Sequence, residues 1–396
     1  DFLLNVSIEV SSEALVEFCA RHRALYLDTC VEPWSGGYTD PSLSPSRRSN
    51  YALRERILDL RARLGPSSPT AVVTHGANPG LVSHFLKQAL LNLAADLGLD
   101  VERPRNRTEW AELASRLKVK VIHVAERDTQ SSSIAKRPGE FVNTWSVDGF
   151  VGEGMQPAEL GFGTHEHRLP PDGHRHGFGC DAAIYLNRPG AATQVRSWTP
   201  LQGPFHGFLI THSEAIAIAD YLTLPDGARR GKAKPGYRPT VHYAYHPCDA
   251  AVLSLHELAG RNWRMPEMKR LITDEIVSGS DELGVLLMGH ARGAYWYGSR
   301  LSIQAARDCA PYNNATSLQV TAAVLAGIIW ALENPRAGII EPEEVDFERI
   351  LQIARPYLGR LVGEYSDWTP LVERGRLFSE EVEADDPWQF TNFRVS

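Results

Sequence analysis

The sequence predicts an α/β protein of two domains, a parallel sheet followed by a mixed sheet. Three observations lead there. At 396 residues the chain is long for one hydrophobic core. It opens strand–helix–strand: Phe2–Ser7, a helix capped by Ser11 or Ser12, then the short apolar run Leu25–Asp28, the unit from which parallel sheets are built. From Thr108 the pattern changes to short alternating runs separated by turns, which reads as an antiparallel or mixed sheet covered by a few helices.

A parallel sheet does not usually begin with two strands, and the chain enters on an apolar strand with no initiator Met. The expectation is a fragment that lacks earlier strands of its sheet. No glycine-rich GxGxxG loop joins a strand to a helix in these residues. After Leu25–Asp28 a Gly/Pro/Ser-rich loop runs to about Ser49, and apolar residues at helical spacing predict a helix over Asn50–Leu64. Thr70–Thr74 is a third buried strand, ending in the turn Gly76–Gly80 before a helix over Leu81–Leu97. Next come a helix over Thr108–Leu117, a strand over Val119–Asp128, and strands at Phe141–Ser146, Ala182–Leu186, Gln194–Ser197, Gly207–Thr211, Thr240–Tyr245 and Asp281–Met288. Helices are predicted at Glu214–Tyr221, Asp249–Leu258, Ile303–Cys309 and Val345–Ile353. The almost wholly apolar Thr316–Glu333 reads as a buried helix, too short for a membrane span, and the tail reads as irregular.

A formal net charge of −7 argues against a nucleic-acid partner, and no membrane partner is expected. The five cysteines are scattered and without CxxC spacing, which suits reduced thiols in a cytoplasm and no structural zinc. His165-Glu166-His167 and His174-Arg175-His176 lie in a Pro/Gly-rich stretch, match no metal-site spacing, and read as a polar surface loop. There is no GxSxG, HExxH or P-loop, so hydrolase chemistry has no support.

The chemistry-bearing stretch is Val142–Gly163. It places Trp145 among Asp148, Glu153 and Glu159, and its glycines and Pro157 predict mostly loop. Upstream, Val119–Asp128 ends in Glu126 and Asp128. An indole face and nearby carboxylates both attract an organic ammonium, the former by about 0.5–2 kcal/mol. The same residues would equally make a surface loop with solvated acids and a core Trp. Asn78 stands at the carboxyl end of a strand, where open α/β sheets bind ligands, although Asn also suits a plain turn. His212 ends an apolar strand before a helix, where it could exchange protons with a ligand or cap the helix. Asp281 opens a strand at its edge, as site acid or turn acid.

The stretches AVVTHGANPGLVSHFLKQAL, VIHVAERDTQ, VNTWSVDGFVGEGMQPAELG, RPTVHYAYHPCDAAVLSLHE, YWYGSRLS and DPWQF together resemble the bacterial homospermidine synthases, of the wider saccharopine-dehydrogenase-like group. The resemblance runs over essentially the whole chain. It implies an incomplete Rossmann-like parallel sheet domain with an inserted mixed α+β catalytic and dimerisation domain: residues 1–80, then 81–312, then a return over 313–396. It implies a cytoplasmic homodimer that holds NAD and transfers an aminobutyl group from putrescine or spermidine to putrescine. It further implies catalytic roles for Trp145, Glu153, Glu126, Asn78, His212 and Asp281, and cofactor contacts from Asn5, Ser7, Glu32, Asn78 and Pro79. The alternative is a net amine/imine oxidoreductase of the saccharopine or carboxynorspermidine dehydrogenase type. Such an enzyme handles a carboxylate and calls for arginines in its pocket.

Overall fold

The computed structural model describes residues 1–226 and 235–395. Strands Phe2–Asn5, Leu25–Asp28, Ala71–Val72 and Ile339–Ile340 form one parallel sheet in that order. Helix Ser12–His22 makes the first crossover, its N-terminus capped by the Ser11 hydroxyl, which accepts from the Ala14 amide. Helix Asn50–Leu64 makes the second. The fourth strand comes from far along the chain, delivered by helix Ala315–Glu333, which lies against Leu25–Asp28. By length and hydropathy that helix does reach the range of a membrane span, contrary to the reading from sequence, but 61% of its apolar window is buried inside the protein. It is a core helix.

The second sheet has ten strands. Its central path runs Arg360–Ser366, Ala294–Ser302, Ser280–Met288, Val121–Asp128, Thr240–His246, Pro157–Gly161, Ala183–Pro189, Gly173–Arg175, with the hairpin Gln194–Thr199/Gly203–Phe208 branching from Thr240–His246. Val121–Asp128 and Thr240–His246 are parallel neighbours, whereas Ser280–Met288 runs antiparallel on the other side. Register decides what shares a face. Asp281 lies opposite Asp128, Leu283 opposite Glu126, and Tyr245 beside Glu126. Because side chains alternate along a strand, Glu126, Asp128, Tyr243, Tyr245 and Asp281 all point to one side. His123, Ala125, His242 and Trp296 point to the other, where Phe393 seals them.

Three expectations are corrected. The Val142–Gly163 stretch is not mostly loop: it holds the end of strand Glu140–Asn143, helix Val147–Met155 and strand Pro157–Gly161. Its glycines serve close packing, since a Cβ on Gly154 would come within 3.1 Å of the Ala191 Cβ, and the Ser146 hydroxyl starts the helix by accepting from the Gly149 amide at 3.1 Å. The tail is not simply irregular, because Arg360–Ser366 forms the sheet's edge strand and the turn Phe390–Phe393 buries both its Phe rings. Finally, the histidine-rich stretch is not all surface. His176 is buried, stacked on Tyr51 with ring centroids 3.9 Å apart, and its Nδ1 meets the Ser46 hydroxyl at 2.9 Å.

Candidate functional site

The site lies where the carboxyl ends of the parallel strands meet the acidic face of the larger sheet. The turn Thr74–Gly80 is anchored by Asp28, whose carboxylate accepts from the Thr74 amide at 2.6 Å and whose carbonyl accepts from His75 at 2.7 Å. Gly80 closes the turn at φ 124°, and a Cβ there would lie 2.2 Å from the Gly76 carbonyl oxygen, so only glycine fits. The turn aims Asn78 outward, and its Nδ2 donates to Glu126 at 2.7 Å. Pro79 is buried, its carbonyl taken by the Gly76 amide at 2.8 Å, and it shapes the turn without offering a free group.

Glu126 also accepts from the Tyr243 hydroxyl at 2.5 Å. Burial raises its carboxyl to about 7; the Tyr243 and Asn78 bonds pull the other way, and the nearby Asp128 adds to the rise. Burial likewise lifts Asp128 to about 6 and Asp281 well above the usual carboxylate range, the latter reinforced by the charges of Glu126 and Asp128. Thr316 bridges the two aspartates, donating to Asp281 Oδ2 at 2.7 Å and lying 3.5 Å from Asp128 Oδ2. Asp281 Oδ1 is buried with no partner among the described residues. Among the described residues no Lys or Arg forms a salt bridge with Glu126, Asp128, Asp281 or Glu32. Three buried carboxyls thus face one another with no Lys or Arg ion-paired to them among the described residues, an arrangement that is costly unless a cation enters.

Trp145, half-buried, immediately precedes the Ser146 cap. Its indole N–H donates to the Tyr245 hydroxyl at 3.0 Å, and Tyr245 stacks on Tyr243 at 5.2 Å and 8°. Glu153, on helix Val147–Met155, meets His212 Nε2 at 3.0 Å, while Glu214 meets His212 Nδ1 at 3.3 Å. Burial disfavours the charged imidazole, but the carboxylates of Glu214 and Glu153 outweigh it and raise His212 to about 10. The ring is therefore a standing cation at neutral pH. Of the two roles open from sequence, proton exchange with a ligand and capping of the helix, the side chain makes no capping bond and instead lies between two carboxylates.

Glu32 is buried, accepts from the Glu9 amide at 3.2 Å, and is raised to about 7 by burial, with the charge of Glu153 contributing. Asn5 is buried and donates to the Tyr26 hydroxyl at 3.2 Å; the Ser7 hydroxyl, exposed, donates to the Asn5 carbonyl oxygen at 2.5 Å. The loop after this first strand abuts helix Val147–Met155, since a Cβ on Gly149 would lie 3.5 Å from Ile8. Two acids of the stretch fall outside the site. Asp148 pairs with Lys269 on the surface, and Glu159 caps helix Asn50–Leu64 by accepting from the Asn50 and Tyr51 amides at 2.8 and 3.3 Å. Tyr243, Tyr245 and Glu214 were missed; alternation in TVHYAYH was the one signal for the two tyrosines.

A nicotinamide dinucleotide fits the parallel-strand ends. Its ribose hydroxyls require acceptors there, and the Glu32 carboxylate, which accepts the Glu9 amide, is such an acceptor; the Asn5 side-chain oxygen is already taken by the Ser7 amide and hydroxyl.

Comparison with known proteins agrees. Residues 1–72 match the saccharopine dehydrogenase NADP binding domain and residues 76–367 the saccharopine dehydrogenase C-terminal domain. Homospermidine synthase of Blastochloris viridis is 57% identical over 394 residues, spanning 100% of this chain and 82% of that one; that of Mesorhizobium japonicum is 51% identical over 397 residues, spanning 100% and 81%. The crystal structure of homospermidine synthase from Legionella pneumophila in complex with NAD superposes with a TM-score of 0.92 at 56% identity, over 100% of this chain and 82% of that chain. The acidic site at the ends of the parallel strands and this likeness along the whole chain lead to one conclusion: the chain belongs to the homospermidine synthases, within the saccharopine-dehydrogenase-like group.

Proposed function

We propose that the chain joins two putrescine units, or a spermidine and a putrescine, into sym-homospermidine, with NAD as a resident redox cofactor. The observation that carries this reading is the set Glu126, Asp128 and Asp281: buried carboxyls with no Lys or Arg ion-paired to them among the described residues, the Asp281 Oδ1 atom having no partner there. A diammonium chain supplies what they lack. The alternative oxidoreductase of the saccharopine or carboxynorspermidine type would need arginines for a substrate carboxylate; among the described residues no arginine pairs with the carboxylates of Glu126, Asp128 or Asp281, and Arg127 reaches only the Asp128 backbone carbonyl, at 2.6 Å.

NAD, held toward Glu32 and Asn78, would supply the hydride acceptor for the amine-bearing carbon and the hydride donor for the new imine. The protein's part is binding, orientation and charge. Asp128 and Asp281 hold the far ammonium of the donor. Glu126, steadied by Asn78 and Tyr243, takes the proton from the near ammonium, because only a neutral amine can be oxidised to the imine; a carboxyl near 7 is suited to that exchange at neutral pH. Ammonia (or diaminopropane, from spermidine) leaves as the acceptor amine adds to the imine carbon. The Trp145 face stabilises the cationic centre in passage, and the Tyr245 bond fixes the indole's plane. Glu153 and His212 stand as a charged couple beside it, with Asn5, Ser7, Glu32 and Asn78 toward the cofactor. Division at 80 and 312, a homodimer and a cytoplasmic location complete the reading; five free cysteines suit that compartment.

The test is incubation with putrescine and a small amount of NAD, with product identified by mass spectrometry. Homospermidine and ammonia are expected one to one, in excess over NAD. NADH accumulating in step with any product would instead favour the oxidoreductase.

A further inference from the structure

His212 is gripped from both sides. Its Nε2 lies 3.0 Å from Glu153 on helix Val147–Met155, and its Nδ1 lies 3.3 Å from Glu214 on helix Ser213–Tyr221, which begins beside it. The His212 side chain is 6% exposed and that of Glu214 1%. Glu153 belongs to the substrate site as read above; Glu214 lies behind the ring and reaches that site only through it. The second Glu214 oxygen, Oε2, is buried without a partner among the described residues, so it is through the imidazole that this carboxylate is bonded there.

We propose that Glu214 is a positioning residue: by taking Nδ1 while Glu153 takes Nε2, it fixes the His212 ring as a permanent charged member of the site and not as a proton carrier. This rests on the polyamine reading of the site. A neutral imidazole has one N–H and could donate to one carboxylate only, leaving the other oxygen facing a lone pair; two carboxylates at both nitrogens require both N–H groups. The other groups facing the ring do not reverse this. Tyr243, from strand Thr240–His246, lies against it with centroids 4.6 Å apart and planes tilted by 31°; Glu126, from Val121–Asp128, adds further negative charge; Cys30, after strand Leu25–Asp28, lies near both Glu153 and Glu214 as a thiol whose ionisation burial opposes. The consequence is chemical. With both ring N–H groups committed to the two carboxylates, the imidazole has no lone pair with which to accept a proton, so proton removal from substrate falls to other groups, Glu126 first.

The experiment is nitrogen-15 NMR of the histidine-labelled full chain with NAD bound and no polyamine, across pH 6 to 9, on the parent and on Glu214→Gln, with His212→Gln used to assign the resonance. In the parent the His212 ring should keep both protons throughout. In Glu214→Gln its titration should move down by about 1–2 pH units, as loss of one adjacent carboxylate implies, and a new limb should appear in the pH profile of kcat/KM for putrescine. Glu214→Asp should keep the parent's profile in large part. A parent ring that titrates with a midpoint near 6.5 overturns the proposal, whether or not the variant folds. So does a Glu214→Gln protein whose ring and pH profile match the parent. The NMR result involves no turnover, so failure of the polyamine reading would show separately, as absent product with a doubly protonated ring.

Discussion

Replacing Glu126 by Gln should make the empty protein more stable at pH 8 while disabling it. Both Glu126 bonds, from Asn78 Nδ2 and the Tyr243 hydroxyl, land on the same oxygen, so a Gln carbonyl oxygen in its place can accept both. What changes is charge. Burial raises the carboxyl from 4.5 to about 7, which corresponds to about 3 kcal/mol of differential interaction. With the folded-state value above the unfolded one, this group's contribution to stability is full below pH 4.5 and lost as pH rises through about 7. Gln carries no such dependence. Neutral bonds replace charge-assisted ones at a cost of about 1 kcal/mol. The variant should therefore lie within about 1 kcal/mol of the parent at pH 5 and exceed it by about 2 kcal/mol at pH 8. Denaturant unfolding of both proteins at the two pH values measures this. Saturating putrescine should stabilise the parent at pH 8 and the variant far less. Formation of homospermidine should fall about a hundredfold or more, as expected when a buried ammonium loses its partner. A stability difference equal at pH 5 and pH 8 would refute the reasoning, because no ionisation would then be at stake.

Other substitutions probe neighbouring parts of the account. Trp145→Ala should lower kcat/KM for putrescine well beyond Trp145→Phe, which keeps a weaker π-face; equal losses in steady-state assays would remove the cation–π role. Tyr245→Phe deprives the indole N–H of its acceptor and should lower turnover while costing about 1 kcal/mol of stability, read from paired kinetic and unfolding measurements. Gly327→Ala places a Cβ 2.6 Å from Leu27 Cδ1 and 2.8 Å from His75 Nδ1, so despite better helix propensity it should destabilise by about 1–2 kcal/mol; a more stable variant would contradict this packing.

Much of this was legible in the sequence where signals are local. Helix Asn50–Leu64 appears with the predicted bounds, since a serine cap and helical spacing lie within a few residues of one another. The Asn78 turn was readable from Gly and Pro positions. Period-two patterning in VKVIHVAERD pointed Glu126 and Asp128 to one side. Pairing between distant strands was not readable. Tyr243 and Tyr245 became part of the site because Thr240–His246 lies parallel to Val121–Asp128 in one register, and nothing local states that register. Glu159 and Glu153 looked alike as loop acids, yet one caps a distant helix and the other grips His212. The glycines of Val147–Met155 signalled a break in isolation, yet Gly149 and Gly154 are close-packing positions in context, 3.2 Å from Ser146 Oγ and 3.1 Å from Ala191 Cβ for an added Cβ. Trp145, singled out at first only as an indole among acids, now has a fixed plane and a named partner.

The central claim is a borrowed and returned hydride, and isotope tracing tests it most directly. Putrescine fully deuterated at its amine-bearing carbons is supplied as both donor and acceptor, with unlabelled NADH present in solution, and the homospermidine formed is weighed by mass spectrometry. The account predicts that the product keeps every deuterium, since the hydride that leaves the donor carbon returns to the same carbon before the cofactor exchanges. Product lacking one deuterium per molecule would mean that reduction draws on an external reductant, and would contradict it.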